Sequence, residues 1–338
     1  MASETVPHDR TEDASAVADA ATRSGAGRMR RIVDDPRLRR RQHAHSAAVT
    51  VLSAAGALVA LYIACFVDPR PLFYLFVFSV FFFPIGLGVT VGFHRHFTHR
   101  AFRAPVPIRV ILAVLGSMAA QGPLTFWVAL HRLHHELADR PGDPHSPNLH
   151  ASTAAGLAHA YAGWTVRHEV PNANFYARDL LRDPVISWVN GRYYWWVALG
   201  LLGPAMVGFL SSGTMLGALE GFLWGGPVRM LAGHNIIWMI TSFAHVVGDR
   251  EFACRDRSTN NAWLALPTLG ESWHNTHHAF PQAAYLGTRW WQLDPSGVVI
   301  RLLGALHLAH DIQLLSEADL LRRRLGPSNP SRKGATNE

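Results

Sequence analysis

Uncharged apolar runs dominate the first third of the chain. Residues 47–67 and 71–92 contain no Asp, Glu, Lys or Arg. Because about 20 apolar residues are needed to cross the hydrocarbon core of a bilayer, each run predicts a membrane-spanning helix. Only residues 68–70 separate the two runs, so we expect a tight helical hairpin.

A second pair of apolar runs follows a long, more polar interval. Residues 193–212 form one of them, and the other is placed at about 226–247, because a Gly-Gly-Pro sequence indicates a break there. The apolar segment 106–127 is interrupted by Arg109 and by a Gln-Gly-Pro sequence. It is therefore predicted to be a buried or interfacial helix rather than a fifth span.

These runs divide the chain into three parts. Residues 1–46 form a polar, Arg-rich arm that we expect to be flexible, residues 47–312 form the membrane domain, and residues 313–338 form a tail. The arm lacks the apolar core and small-residue cleavage site of a signal peptide. The predicted fold class is an all-α integral membrane protein.

The distribution of positive charge predicts the orientation of the spans. The chain has 31 Lys and Arg against 24 Asp and Glu, with a formal charge of +7. The arm is rich in Arg, whereas the loops on the other side of the predicted spans have almost none. Since positive charge accumulates on the cytoplasmic side, four spans would place both termini and the segments 93–192 and 248–338 in the cytoplasm. The basic charge is thus explained by topology, and no nucleic-acid partner is predicted.

Histidine provides the candidate chemistry. The chain contains 20 His, and many of them cluster in the segments predicted to be cytoplasmic. The two cysteines exclude a disulfide scaffold or a Cys-based zinc site. The clustered histidines are His94, His96 and His99; His131, His134 and His135; and His274, His277 and His278, with His245 alone at the end of the last span.

Helical spacing groups these side chains. In an α-helix, positions i, i+3 and i+4 share one face, so each His-x-x-His-His triplet can present three imidazoles to a common point. Imidazole binds Zn, Cu, Fe or Ni, so the spacing indicates a metal without choosing it. His94 and His99 lie about 140° apart on an α-helix, so either the helix ends within the first cluster or His96 is a ligand. A lone histidine such as His245 is more often an interfacial residue.

Four motifs resemble those of the integral-membrane fatty acid desaturases, in particular the stearoyl-CoA desaturase-like group. They are HRHFTH from His94, HRLHH from His131, GDPHSP from Gly142 and GESWHNTHHAFP from Gly270. The resemblance extends roughly from Val80 to Trp291. It implies four transmembrane helices capped by a cytoplasmic helical domain that holds a di-iron site.

The resemblance also implies the site residues. The nine implied iron ligands are His94, His99, His131, His134, His135, His245, His274, His277 and His278. Thr241 occupies the position at which the stearoyl-CoA desaturases have an Asn that holds an iron-bound water. Asp143 and Asn275 are candidates for contacts that orient imidazoles. Gln121, Trp127 and Trp238 fall where the family lines its acyl tunnel.

The function that follows is the introduction of a cis double bond into a long saturated acyl chain. Saturated methylenes have no acidic proton and no leaving group, so their oxidation needs O2 and a redox metal. The chain has no Rossmann, haem-attachment or iron–sulfur motif, so two electrons must come from an external protein, by family analogy a ferredoxin, a rubredoxin-like protein or a cytochrome b5-type donor. The substrate is expected to be an acyl-CoA or an acyl-lipid, and a carrier-protein thioester is a further alternative that the sequence leaves open. A hydroxylase or ketolase with the same site remains an alternative, as does a non-enzymatic metal carrier.

Overall fold

The computed structural model describes Gly27 and residues 30–325. Within these residues a single two-stranded sheet pairs β1 (Ile32–Val33) with β2 (Val170–Pro171) in antiparallel fashion. The remaining regular structure is helical. In chain order the α-helices are α1 (Pro36–Phe66), α2 (Pro71–Leu87), α3 (Val106–Ser117), α4 (Leu124–Leu137), α5 (Thr153–Tyr161), α6 (Ala173–Tyr176), α7 (Arg178–Leu181), α8 (Pro184–Gly191), α9 (Tyr193–Ser212), α10 (Met215–Leu223), α11 (Arg229–Phe243), α12 (His274–Ala279), α13 (Pro295–Ala305) and α14 (Glu317–Arg323).

Three helical stretches are long and apolar enough to cross a membrane. They are α1, α2 with its continuation to Thr98, and α9. The helix α1 begins at Pro36, eleven residues before the predicted span, because Asp35 accepts hydrogen bonds from the backbone N–H groups of Arg37 and Leu38. Residues 36–46, assigned to the flexible arm, are therefore helical. The predicted arm residues 1–26 lie outside the described part of the chain.

The fourth predicted span has different boundaries in the structure. Instead of beginning at residue 226, helical structure begins at Met215 and continues through α10, a π-helical turn at Trp224–Val228 and α11. The Gly-Gly-Pro sequence lies within this π-helical turn and does not begin the helix. We keep a membrane-spanning role for this stretch as a proposal.

A buried carboxylate joins the α1–α2 hairpin to α10. The fully buried Glu220 accepts a hydrogen bond of 2.9 Å from the Tyr74 hydroxyl and pairs with Arg70. Tyr74 and His94 lie 20 residues apart on one continuous helical stretch, which corresponds to about 30 Å. The contact between Glu220, Tyr74 and Arg70 therefore lies at one end of these helices, and the histidines lie at the other end.

The histidine-bearing ends of the helices also meet one another. The His45 Nε2 atom of α1 lies 3.0 Å from the Tyr193 hydroxyl oxygen at the start of α9. That hydroxyl accepts a hydrogen bond from the backbone N–H of Gly122, which joins α3 to α4. The helices α4 to α8 and the segment after residue 248 pack at these ends, and we refer to them together as the cap.

Arg132 fastens α4 to the end of the first histidine segment. Its guanidinium donates to the carbonyl oxygens of Phe97 and Thr98 and to the Asp179 carboxylate, at 2.8 to 3.1 Å. Burial alone would raise the pKa of Asp179, but the hydrogen bonds from Arg132 and Arg100 lower it to about 2. This carboxylate therefore stays ionised and holds the two histidine-bearing elements together.

The tail packs on the cap as far as it is described. The backbone N–H of Ala253 donates to the carbonyl of Arg323, whose side chain donates to the carbonyl of Ala279, both at 2.7 Å. The last part of the predicted tail, residues 326–338, lies outside the described residues.

Candidate metal centre

The nine histidines that the family resemblance implied as ligands come together in two groups. In each group, every histidine contributes one ring nitrogen, and these nitrogens all lie within 4.8 Å of one another. The five-histidine group consists of His94, His99, His131, His135 and His277, and the four-histidine group consists of His134, His245, His274 and His278.

Ring nitrogens converge at the centre of the five-histidine group. The Nε2 atom of His277 lies 2.8 Å from that of His135 and 3.0 Å from that of His94. The Nε2 atom of His131 lies 3.0 Å from that of His135 and 3.1 Å from that of His99. All five rings therefore direct the same nitrogen towards one point.

The four-histidine group has the same arrangement. The Nε2 atom of His274 lies 3.1 Å from those of both His245 and His278. The Nε2 atom of His134 lies 3.4 Å from that of His278. The lone His245 at the end of the last predicted span thus belongs to the cluster.

A π-helix brings His94 and His99 to the same side. Residues 88–98 form a π-helical segment, and the backbone N–H of His99 donates to the carbonyl of His94, five residues earlier, at 3.2 Å. The 140° separation expected from α-helical geometry does not apply, because i→i+5 bonding places residues five apart on one face. His96 lies outside both groups, with Nδ1 3.1 Å from the carbonyl oxygen of Phe102.

The two His-x-x-His-His triplets each contribute to both groups. On α4, His131 and His135 join the five-histidine group while His134 joins the other. On α12, His277 joins the five-histidine group, and His274 and His278 join the other. The expectation that each triplet faces a single point is therefore wrong, since α4 and α12 lie between two adjoining points and contribute to each.

Carboxylates contact the opposite ring nitrogen in the four-histidine group. The Nδ1 atoms of His134 and His278 each lie 2.9 Å from a carboxylate oxygen, of Asp143 and Asp256 respectively. The Nδ1 atom of His245 lies 3.2 Å from Asp139. A carboxylate accepts a hydrogen bond from Nδ1–H, which leaves the Nε2 lone pair free and directed inward.

These carboxylates are ionised at neutral pH. Burial would raise the pKa of Asp143, but the electrostatic interaction and the hydrogen bond with the His134 ring lower it to about 2. Burial likewise opposes ionisation of Asp139, whose pKa is held below its usual range by hydrogen bonds from His245, Ser146 and Asn148. Both groups therefore supply negative charge beside the histidines.

Burial keeps most of the cap histidines neutral. The pKa values of His135, His274, His277 and His278 are well below the usual range, first because burial disfavours the charged ring and then because neighbouring imidazoles repel one another. Neutral rings with converging lone pairs and no protein donor at the centre are what a metal requires. The all-nitrogen donor set fits two ions of the imidazole-binding metals, iron among them.

Glu271 plays the corresponding part in the five-histidine group. Its Oε2 atom lies 2.6 Å from the Nδ1 atom of His94. The same carboxylate accepts a 3.1 Å hydrogen bond from Arg95, which also donates to both carboxylate oxygens of Asp294 at 2.8 and 2.9 Å. The side chains of this network are at most 8% exposed, so it fixes the His94 ring from within the protein.

The tentative contacts predicted around the metals have different outcomes. Asp143 does contact a ligand candidate, His134, whereas Asn275 contacts no imidazole. Its amide instead binds the backbone of Glu251 and Phe252 and holds this earlier loop against α12. The Thr241 hydroxyl donates to the backbone carbonyl of Ala160 at 2.7 Å, so only its lone pairs remain for a water.

The predicted tunnel residues line one cavity beside the histidines. Gln121, Trp127 and Trp238 share its wall with His131 and Thr241. The Gln121 amide oxygen accepts a 3.1 Å hydrogen bond from the Trp127 indole, which supplies the partner that a buried amide needs. The tunnel role itself remains a prediction.

Three cavities adjoin one another near the histidines, and two of them have histidines in their walls. The one lined by Gln121 and Trp238 shares Trp127, His131 and Thr241 with a second cavity at the histidines. The second shares Val89 and Thr90 with a third, which lies between α2 and α11. Ile237 lines all three, so these mainly apolar cavities adjoin one another around its side chain.

Sequence reasoning missed four residues at this site. Asp139, Asp256 and Glu271 contact ligand candidates, and the buried His145 packs its ring 4.1 Å from the ring of His134. The Asp139 and His145 positions lie in or near the GDPHSP motif, which was a usable signal. Asp256 carries no such signal, because a single Asp in a polar loop is unremarkable.

Removing the charge of Asp143 should weaken metal binding. Replacing it by asparagine keeps the shape but removes the negative charge at His134, so we expect metal affinity to fall about 10- to 100-fold. Glu136→Gln is the matched control, because Glu136 points away from the cluster towards Arg31 and Tyr176. Metal titration followed by elemental analysis measures both variants, and equal affinities would contradict the orienting role of Asp143.

A sequence model of the family described as fatty acid desaturase matches residues 69–301. The hex-5-enoyl-(acyl-carrier protein) acetylenase of Moorena producens (strain JHB) is 48% identical over 234 residues, which cover 68% of this chain and 73% of that protein. An sn-1 stearoyl-lipid 9-desaturase of Anabaena variabilis is 35% identical, covering 68% and 79%. An acyl-CoA C20 Delta5-desaturase of Anemone leveillei is 34% identical, covering 68% and 70%.

Proposed function

The chain belongs to the fatty acid desaturase family and is a membrane-associated oxidoreductase that desaturates fatty acyl chains, and we propose that its two histidine groups hold two iron ions at which this reaction occurs. The observation that carries the proposal is the convergence of nine Nε2 atoms on two adjoining points. Iron bound at both points would supply the oxidant by activating O2. We infer that the protein supplies position, a route for electrons from an external donor and a dry cavity.

The overall reaction balances with two external electrons. One O2, two electrons and two protons accept two hydrogens from adjacent methylenes, which gives one double bond and two waters. Every methylene is chemically alike, so the shape of the tunnel must select the carbon that lies beside the metals. The indole of Trp127 stacks on the His131 ring at a centroid distance of 5.1 Å, which makes it a candidate for this positioning.

The three adjoining cavities support an acyl chain as substrate. Their walls are mainly apolar, and each methylene removed from water contributes about 0.8 kcal/mol. The names of the relatives refer to acyl groups on carrier protein, lipid and CoA respectively. We propose that this chain also takes a carrier-bound acyl group with its chain in a path through these cavities.

We also propose that four spans place the histidines and both termini in the cytoplasm. The exposed arginines at the start of α1 support this orientation, because positive charge accumulates on the cytoplasmic side. The ends of α1, α2, α9 and α11 that lie nearest the histidines would then be on that side, where an electron-donor protein could reach them.

The decisive experiment is product analysis with purified, iron-loaded protein. The protein is supplied with O2, a reductant and saturated acyl groups presented as CoA thioester, carrier-protein thioester or phospholipid. Mass spectrometry then locates any double bond. A product with an added hydroxyl or keto group would contradict desaturation. Protein that binds metal but consumes no O2 and forms no product would contradict a di-iron oxidase.

Closing the path at its junction should stop the reaction without removing the metals. Ile237→Trp adds an indole where the three cavities meet, so we expect turnover to fall at least about tenfold, as reacting atoms lose their alignment. The iron content should remain that of the unsubstituted protein. Ile111→Trp is the matched control, because Ile111 is exposed on α3. Full activity of the Ile237 variant would show that the substrate does not follow this path.

A further inference from the structure

An opening on the surface of the cap leads to the four-histidine group. It is lined by Asn148, His245, Gly248, Arg250 and Arg257, among others. His245 is buried to 1% exposure, yet it forms part of the wall. This opening is separate from the three apolar cavities, which approach the histidines between the helices.

Two short hydrogen-bonded paths run from the rim of this opening to ligand candidates. The backbone N–H of the exposed Arg257 donates to Asp139 at 2.7 Å, and the same carboxylate oxygen lies 3.2 Å from the Nδ1 atom of His245. Asp256, next in the chain, lies 2.9 Å from the Nδ1 atom of His278. One exposed loop is therefore connected to two of the four histidines through a single carboxylate each.

The five-histidine group has no comparable connection among the described residues. His94 contacts Glu271, which is held by Arg95, and Arg95 is held by Asp294. His94, Glu271 and Arg95 are buried, and the network reaches the partly exposed residue Asp294 only through all three of them. Electrons delivered from outside therefore have their shortest bonded route through the four-histidine group.

The rim of the opening is positively charged. Arg250 and Arg257 line the opening and are exposed, and within residues 30–325 neither of them forms an ion pair. Glu251 is already paired with Arg289, which leaves Asp249 as the exposed acid nearest in sequence. We define Arg250 and Arg257 as the arginine rim. A rim of one sign attracts a partner of the opposite sign and speeds its association.

We propose that the arginine rim is the docking surface for an acidic one-electron carrier protein, and that its electrons enter through Asp139 and Asp256 into the four-histidine group. This inference rests on the proposed function, since it requires redox-active metals at the histidines. Each of two reduced carriers is oxidised by one electron per double bond, and the two electrons are those that the reduction of O2 to water consumes. The exposed backbone and the carboxylates provide the route, and the guanidinium groups provide the orientation.

Charge reversal tests the proposal. The full-length protein in nanodiscs carries Arg250→Glu and Arg257→Glu, and turnover is driven either by a reduced plant-type ferredoxin, which serves as the acidic probe, or by dithionite. We expect the ratio of ferredoxin-driven to dithionite-driven turnover to fall at least about tenfold at an ionic strength of about 0.01 M. The difference should shrink at about 1 M, where charges are screened within about 3 Å.

Arg39→Glu with Arg40→Glu is the matched control, because these exposed arginines of α1 change the net charge equally. Its ratio should stay within about twofold of the unsubstituted value. An unchanged ratio in the rim variant, or a larger fall in the control, would overturn the docking surface. Absence of dithionite-driven turnover in the unsubstituted protein would instead contradict the proposed function, so the two failures are distinguishable.

Discussion

Replacing His277 by alanine is expected to abolish desaturation and to empty the five-histidine group of metal. The Nε2 atom of His277 lies between those of His135 and His94, at 2.8 and 3.0 Å, and its side chain is buried. Loss of a group that merely orients a ligand costs about 10- to 100-fold in metal affinity or activity, so loss of the ligand itself should exceed about 100-fold. His135→Ala should behave in the same way.

The measurement combines iron analysis with product analysis. In the His277 variant, we expect about one iron per chain, retained by the four-histidine group, and no detectable double bond. His310→Ala is the matched control, since His310 is exposed and belongs to neither histidine group. Full turnover in the His277 variant, or two irons per chain, would refute the ligand assignment.

Replacing Gly116 by alanine is expected to destabilise the protein through the crossing of α3 with the π-helical segment. A Cβ atom at Gly116 would lie less than 3.0 Å from the Phe93 ring and from the carbonyl oxygen of Gly88. Forcing an extra carbon into a packed interior costs about 1 to 3 kcal/mol. Because Phe93 precedes His94, we also expect the iron content of the folded fraction to fall.

Thermal unfolding in detergent, followed by size-exclusion chromatography, measures this effect. Gly191→Ala is the matched control, because nothing lies within 4 Å of a Cβ atom at that position. The control should unfold at the temperature of the unsubstituted protein. If Gly116→Ala unfolds there as well, the close crossing of these helices does not limit stability.

The apolar helices were predictable because burial in lipid leaves a long, local signal. The runs at 71–92 and 193–212 correspond to α2 with its π-helical continuation and to α9. The boundaries were less predictable. The Asp35 cap extends α1 well into the polar arm, and the Gly-Gly-Pro sequence lies within the helical stretch that it was expected to begin.

The candidate ligands were identifiable from motifs, whereas their geometry was not. The α-helical spacing argument left His94 and His99 on different faces, and only the π-helical hydrogen bond between them removes the conflict. Spacing likewise indicated that each triplet shares a face. It did not indicate that His134 faces a different point from His131 and His135.

By itself, the sequence determined which segments are apolar, where the imidazoles cluster and which family the motifs resemble, because each of these is a property of neighbouring residues. The tertiary structure alone decided how nine imidazoles divide into two groups, which carboxylates orient them, and that a surface loop reaches His245 through Asp139. The physical reason is that these contacts join residues up to about 180 positions apart, such as His94 and His277. The packing of helices sets such distances, and no local pattern records it.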